Sequence, residues 1–228
     1  MTPGGPRDIQ ANAAAMESLY PFLYSGKTDL EAVLAEVRQS TVAKAHEIIE
    51  LRTTVAVRDA GRLRSCAEEM TSRFVAGGRL LAFGNGGSAT DAQQLATLFL
   101  NPGGSDPPLP AFGLANDTAV VTALCNDVGV DVVFARQIAA FGGRKDIAVA
   151  LSTSGNSENL LRGLDEAARR GMLTVGIAGY DGGKMSELDG LDYLFIAPSS
   201  SVHRIQEAQT TIYHVLWELT LTALSEGG

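Results

Sequence analysis

Two cysteines, Cys66 and Cys125, in 228 residues are too few for a disulfide framework. That excludes the small disulfide-stapled class and points to a thiol-reducing, cytoplasmic setting. Both read as small core residues rather than nucleophiles. Basic residues are in deficit: 18 Lys and Arg stand against 26 Asp and Glu, a net charge of −8. This argues against a general nucleic-acid binder. No stretch reaches the roughly 18 consecutive apolar residues of a membrane span. Met1–Gln10 carries proline, glycine and charge, without the apolar stretch of a secretory signal. Internal repeats and low-complexity tracts are also lacking.

What is present fits a globular chain of one domain, or one domain with an appendage. Hydrophobic residues make up 45% of it. The 25 glycines suit tight strand–helix turns. The first part reads as helical, over Ile9–Tyr24, Asp29 to about Leu51, and Val57–Val75, with Gly77-Gly78 as a stop. In the second segment Leu30, Val33, Leu34, Val37 and Val42 fall near helical spacing. The mixed charges of the third predict a solvated face for its arginines.

From Arg79 onward short apolar runs alternate with helical patterns. The expected strands are Leu80–Phe83, Leu109–Leu114, Ile147–Leu151, Thr174–Ala178 and Tyr193–Ala197. Between them come helices at Ser88–Leu100, Thr118–Leu124, Val132–Phe141 and Asn159–Arg170, and a short piece at Lys184–Leu188. Arg204–Ser225 closes the chain as a last helix, and Asn101–Pro110 reads as a loop. This alternation predicts an α/β fold, a parallel sheet covered on both faces. Ligands of such sheets bind beyond the carboxyl ends of the strands, at a switch in strand order.

The candidate chemistry sits at such ends. Ser152-Thr153-Ser154-Gly155-Asn156-Ser157 stands where a strand hands over to a helix. Its hydroxyls and the unpaired N–H groups of a helix start form an anion cradle, with phosphate the expected anion. An ordinary serine N-cap is the structural alternative. Gly84-Asn85-Gly86-Gly87-Ser88-Ala89 fits G-x-G-x-x-A, which opens a dinucleotide reading. That reading wants an acid ending the second strand, for which Asp117 comes late, and it leaves Ser152–Ser157 idle. A smaller ligand with one phosphate and several hydroxyls uses both loops. Asn126-Asp127 suits either a helix stop or a grip on sugar hydroxyls. On the last helix Gln206, Thr210 and His214 are spaced by four and form a polar line beside an apolar stripe. Such a line suggests a cavity border, with His214 as a proton shuttle. His203 caps the helix or meets the ligand, and His46 has no supporting pattern.

Taken in order, these segments resemble the sugar isomerase (SIS) domain, in its phosphoheptose isomerase branch. The residues that carry the resemblance are Gly84–Ser88, Asp91-Ala92-Gln93, Asn126-Asp127, Phe134–Gln137, Ser152–Ser157, Asp181–Lys184 and Arg204–Glu207. The resemblance covers roughly residues 30–225. It implies a five-stranded parallel sheet of flavodoxin-like order flanked by helices. Residues 29–228 would form the SIS domain and 1–28 an N-terminal extension, expected to be helical. It further implies a homotetramer with sites near subunit boundaries. Ser152, Thr153, Ser154 and Ser157 would hold phosphate. Asn85, Gly86, Gly87, Ser88, Asn126, Asp127 and Gln206 would bind the rest of the substrate, and His214 would be catalytic. The implied reaction moves a proton between C1 and C2 of a sedoheptulose 7-phosphate-like sugar through an enediol.

Two departures bear on turnover and on metal. The family's helix pattern Asp-Ala-x-His-x-Ala-x-Glu has Gln94 at its His position and Leu98 at its Glu position here. That Glu is a family acid–base group, and leucine cannot move a proton. The same two positions, with those of Gln206 and His214, make the family's zinc site. Zinc usually needs at least three good protein ligands, so no metal or other cofactor is expected. His203 stands where Asp is usual. The alternative is a non-catalytic phosphosugar-binding regulator, similar to a replication-initiator-associating protein of this branch, with a protein partner. Changed chemistry on a related substrate is a third reading.

Overall fold

The computed structural model describes residues 30–104 and 106–226. The expected helix at Ile9–Tyr24 and the whole extension 1–28 lie outside them. Contacts divide the chain into two units, 1–46 and 47–228.

Helix α1, Leu30–Val75, is continuous over 46 residues where two helices were expected. Its middle, Arg52–Ala56, holds no glycine or proline to stop it. The Thr53 and Thr54 hydroxyls bond back to the Ile49 and Glu50 carbonyls, so those side chains do not compete for the helical amides. In the first unit the apolar side chains of Val33, Leu34, Val37 and Val42 are exposed.

The second unit carries the sheet: β1 Leu80–Gly84, β2 Ala111–Gly113, β3 Ile147–Leu151, β4 Leu173–Gly179 and β5 Tyr193–Ala197. All pairings are parallel, in the order β2-β1-β3-β4-β5, the flavodoxin-like order expected. Strand β2 is shorter than expected, although the Pro110 carbonyl still accepts from Leu80 and the Leu114 amide still donates to Ala82. The Leu109 amide donates to Phe99, and Pro110 has no N–H to give.

The helices are α2 Gly87–Leu100, α3 Thr118–Asp127, α4 Val133–Phe141, α5 Glu158–Arg169 and α6 Val202–Glu226. Short 3₁₀ turns lie at Val130–Val132 and Gly183–Glu187. Alternate strand residues feed two cores, as a doubly covered parallel sheet requires. Leu80, Ala82, Ile147, Val149 and Val175 pack with Met70, Leu95, Phe99, Ile212 and Leu216 of α1, α2 and α6. Leu81, Phe83, Ala148 and Ala150 pack with Phe134, Ile138, Leu160 and Leu164 of α4 and α5. The sheet order turns at β1 and β3, where Gly84 pairs with Leu151. The two loops singled out in the sequence therefore leave the sheet side by side.

Candidate functional site

The loop after β1 depends on glycine for two different reasons. Gly86 has φ +55°, a backbone state costly for residues with a Cβ. Gly87 has no room for a side chain, because a Cβ there would lie 2.4 Å from Gln206 Nε2. Helix α2 starts at Gly87, and its Ser88, Ala89 and Thr90 amides fold back to the Asn85 and Gly86 carbonyls. The Gly87 N–H takes no part in those bonds. Ser88 is buried, while Asn85, Gly86 and Gly87 are exposed.

The loop after β3 is held in shape by its own hydroxyls. Ser152 is buried; its Oγ accepts from the Gly155 amide at 3.0 Å, and Ser154 Oγ accepts from Asn156 at 3.2 Å. Gly155 has φ +68°, and a Cβ there would meet the Gly182 carbonyl at 1.9 Å. The Gly155 carbonyl accepts from Met185, and Asn156 Oδ1 accepts the Lys184 amide at 3.0 Å. The Asp181–Lys184 segment thus buttresses the loop. Ser157 occupies the N-cap of α5, yet its side chain makes no capping bond. The ordinary N-cap alternative fails on that point. Glu158 would repel an anion at this helix start, but Arg162 bonds it at 2.8 Å and holds its carboxyl below the usual range.

Two side chains that tie the site together, Asn159 and Gln209, were missed in the sequence. Asn159, buried in the first turn of α5, exchanges two amide hydrogen bonds of 2.9 Å with Asn85. Gln209 is fully buried, and its Nε2 donates to the Ser152 carbonyl at 2.7 Å and the Ile177 carbonyl at 3.1 Å. That pins α6 to the ends of β3 and β4. Its signal was legible: a glutamine in step with the buried Ile205, Ile212 and Leu216. Asp91, one turn into α2, is half-buried, and that burial raises its carboxyl above the usual range, partly opposed by the Gln206 amide.

The polar line on α6 is real. Gln206, Thr210 and His214 are each half-buried between the buried Gln209 and Tyr213 on one side and solvent on the other. His214 Nδ1 lies 2.8 Å from the Thr210 carbonyl, which can only accept. Nδ1 therefore carries the proton of the neutral ring, and Nε2 is the lone-pair end, as a base requires. The ring stacks on Tyr213 at 4.9 Å and meets Trp217 edge-on at 6.4 Å. Burial pushes the Tyr213 phenol up, opposed by a bond with Thr210 and reinforced by the charge of Asp91.

Leu98 is half-buried and packs on the same core cluster as Trp217, Val215 and Leu219. Gln94 is exposed. The four positions thus offer one imidazole, two amides and a hydrocarbon, which does not fit a zinc ion. Asn126 and Asp127 form the exposed last turn of α3 and bond to each other at 2.9 Å. Among the described residues no hydrogen bond joins them to the two loops. An apolar cavity of about 350 Å³, lined by Val55, Leu63, Ala208, Ile212 and Val215, includes none of the loop residues.

Comparison with known proteins agrees with this geometry. A family model described as SIS domain matches residues 45–179. The phosphoheptose isomerase of Desulfovibrio desulfuricans is 43% identical over 179 residues, 78% of this chain and 84% of its own. That of Aquifex aeolicus is 39% identical over 191 residues, 83% of this chain and 95% of its own. Among solved structures, the phosphoheptose isomerase of Neisseria gonorrhoeae superposes with a TM-score of 0.72 at 34% identity, covering 80% of this chain and 97% of its own. The Francisella tularensis enzyme gives 0.73 at 31% identity, covering 86% and 100%.

Proposed function

We propose that this chain, which belongs to the phosphoheptose isomerase branch of the SIS-domain family, binds a phosphorylated sugar where β1 and β3 part and interconverts its ketose and aldose forms. The substrate class is a sedoheptulose 7-phosphate-like sugar of seven or eight carbons. The observation that carries this reading is the pair of loops at the switch in strand order, one rich in hydroxyls and one in glycine, clasped by Asn85 and Asn159.

In this reading Thr153, Ser157 and the amides at the start of α5 hold the phosphate. Ser152 and Ser154 keep their O–H donors for it while shaping the loop. Asn85, Gly86, Gly87, Ser88 and Gln206 hold the sugar, with Asn126 and Asp127 supplied at its hydroxyls. His214 Nε2 takes the proton from C1 of the ketose while the C2 carbonyl oxygen gains one, giving the enediol. The C1 hydroxyl then releases its proton, C2 receives one from the imidazolium, and the aldose forms with no net change in protons. A positioned base of this kind is worth about 10²–10⁴ in rate. With leucine at position 98, a water or Asp127 serves the oxygens. No step is routed through a metal.

The exposed apolar side chains of Val33, Leu34, Val37 and Val42 support a homotetramer. Free Cys66 and Cys125 support a cytoplasmic protein, and the net charge of −8 supports the lack of a nucleic-acid partner. No described helix is long and apolar enough to cross a membrane. One observation favours a second reading, a non-catalytic phosphosugar-binding regulator with a protein partner: the hydrocarbon Leu98 in the place of the family acid. Calorimetric titration with sedoheptulose 7-phosphate tests the binding that both readings share. Saturable binding is expected, and its absence overturns both.

A further inference from the structure

We infer, on the sugar-phosphate reading of this site, that Gln209 is a positioning residue: it holds α6, and with it His214, at a fixed reach from the phosphate cradle. It thereby sets whether a sugar anchored at one end meets the base at the other.

Gln209 Nε2 donates to the Ser152 carbonyl at 2.7 Å and to the Ile177 carbonyl at 3.1 Å. Ser152 opens the hydroxyl-rich loop. Ile177 lies beside it in β4, and its carbonyl also accepts the Ser152 amide at 3.0 Å. Among the described residues these two bonds from Gln209 are the only hydrogen bonds that join α6 to a strand or to the loop after β3. The buried Ile212 and Leu216 also hold α6 against the sheet, but apolar contact has no direction and tolerates sliding. Two bonds from one buried amide fix the register. Gln206 and His214 ride on the same helix. In a ketose phosphate the phosphate and the carbon that loses its proton stand at opposite ends of the molecule. A slide of about an ångström therefore takes the base off its carbon while the phosphate stays held.

Gln209 is a poor choice for stability alone. Its side chain is fully buried, and Oε1 has no hydrogen-bond partner among the described residues. Folded proteins seldom keep such an acceptor without a use. Methionine would fill much the same space with no unmet atom of its own. It would free the Ser152 carbonyl, for which Gln209 is the one donor among the described residues, while Ile177 keeps the Ser152 amide. One unmet acceptor is exchanged for another, so Gln209→Met should melt within about 4 °C of wild type.

The test compares the full chain with Gln209→Met. For deuterium exchange into sedoheptulose 7-phosphate, kcat should fall about 10–100-fold, the scale of a small misplacement. KM and the Kd for inorganic phosphate should stay within about threefold. Gln209→Glu, protonated at about pH 6 in so buried a place, retains one O–H donor and should recover part of the loss. It also carries the comparison if Gln209→Met folds poorly. The reach is read without turnover from the His214 ring protons by NMR. Saturating sedoheptulose 7-phosphate should shift them in wild type, and shift them less in Gln209→Met with the sugar equally bound. Exchange as fast in Gln209→Met as in wild type, or a loss matched by a loss of phosphate affinity, overturns the inference. So does a His214 signal that follows the sugar equally in both proteins or ignores it in both. If wild type takes no sugar phosphate at all, the functional reading fails and takes this role of Gln209 with it.

Discussion

Asn85 and Asn159 face each other across the gap between the β1 and β3 loops and exchange two amide hydrogen bonds, each of 2.9 Å. The pair, 74 residues apart in sequence, makes one device of the two loops. Asn159→Ala removes both bonds at once. A loss of about 1–2 kcal/mol is expected, or roughly 2–8 °C in melting temperature for a chain of this size. Sugar phosphate binding should weaken more than inorganic phosphate binding, since the spacing between the loops is what relaxes. Thermal melts with paired titrations check this.

Two glycines should respond differently to alanine. At Gly155 the added Cβ would meet the Gly182 carbonyl at 1.9 Å in a backbone with φ +68°. Backbone cannot step aside cheaply, so Gly155→Ala should lose more than about 2 kcal/mol of stability in denaturant unfolding. At Gly87 the obstacle is the end of the Gln206 side chain, which can move. Gly87→Ala should melt within a few degrees of wild type, about the scale of a surface change, while losing sugar binding through the displaced amide.

The serines of the cradle divide the same way. Ser152 Oγ accepts the Gly155 amide, so Ser152→Ala should lose both stability and phosphate affinity. Ser157 makes no capping bond, so Ser157→Ala should spare the roughly 1 kcal/mol that a capping serine normally contributes. Its phosphate affinity should still fall. Chemical denaturation beside phosphate titration separates the two outcomes.

Burial raises the Asp91 carboxyl above the usual range, partly opposed by the Gln206 amide. The folded chain therefore holds this proton more tightly than the unfolded chain does. Stability falls as pH rises from the ordinary carboxylate value through the raised one. Asp91→Asn removes that penalty. Its melting temperature should exceed wild type at pH 7, with the difference vanishing once pH drops below the ordinary carboxylate range.

The sheet and its two loops were legible because their signals are local: short apolar runs, a glycine loop, and serines before a helix. Strand bounds at Ile147–Leu151 and Tyr193–Ala197 are found as read. The break expected near Arg52 was not real, because a weak stretch of amphipathic pattern is not a stop when no glycine or proline enforces one. Asn159 and Gln209 escaped notice for another reason. Their partners, Asn85, Ser152 and Ile177, are distant in sequence, so the pairing exists only once the strands are in register. Asp91 was visible as part of a motif, but its raised carboxyl follows only from its burial in the fold. The His214 tautomer likewise follows from one backbone contact to Thr210.

The central claim is that His214 moves a carbon-bound proton of a sugar phosphate held between the two loops. Incubating the protein with sedoheptulose 7-phosphate in deuterated water and following C1 and C2 by NMR tests it directly. The account predicts deuterium incorporation with wild-type protein, falling by about 10²–10⁴ in His214→Ala while phosphate binding persists. Exchange that survives His214→Ala, or no exchange in wild type despite tight binding, would contradict it.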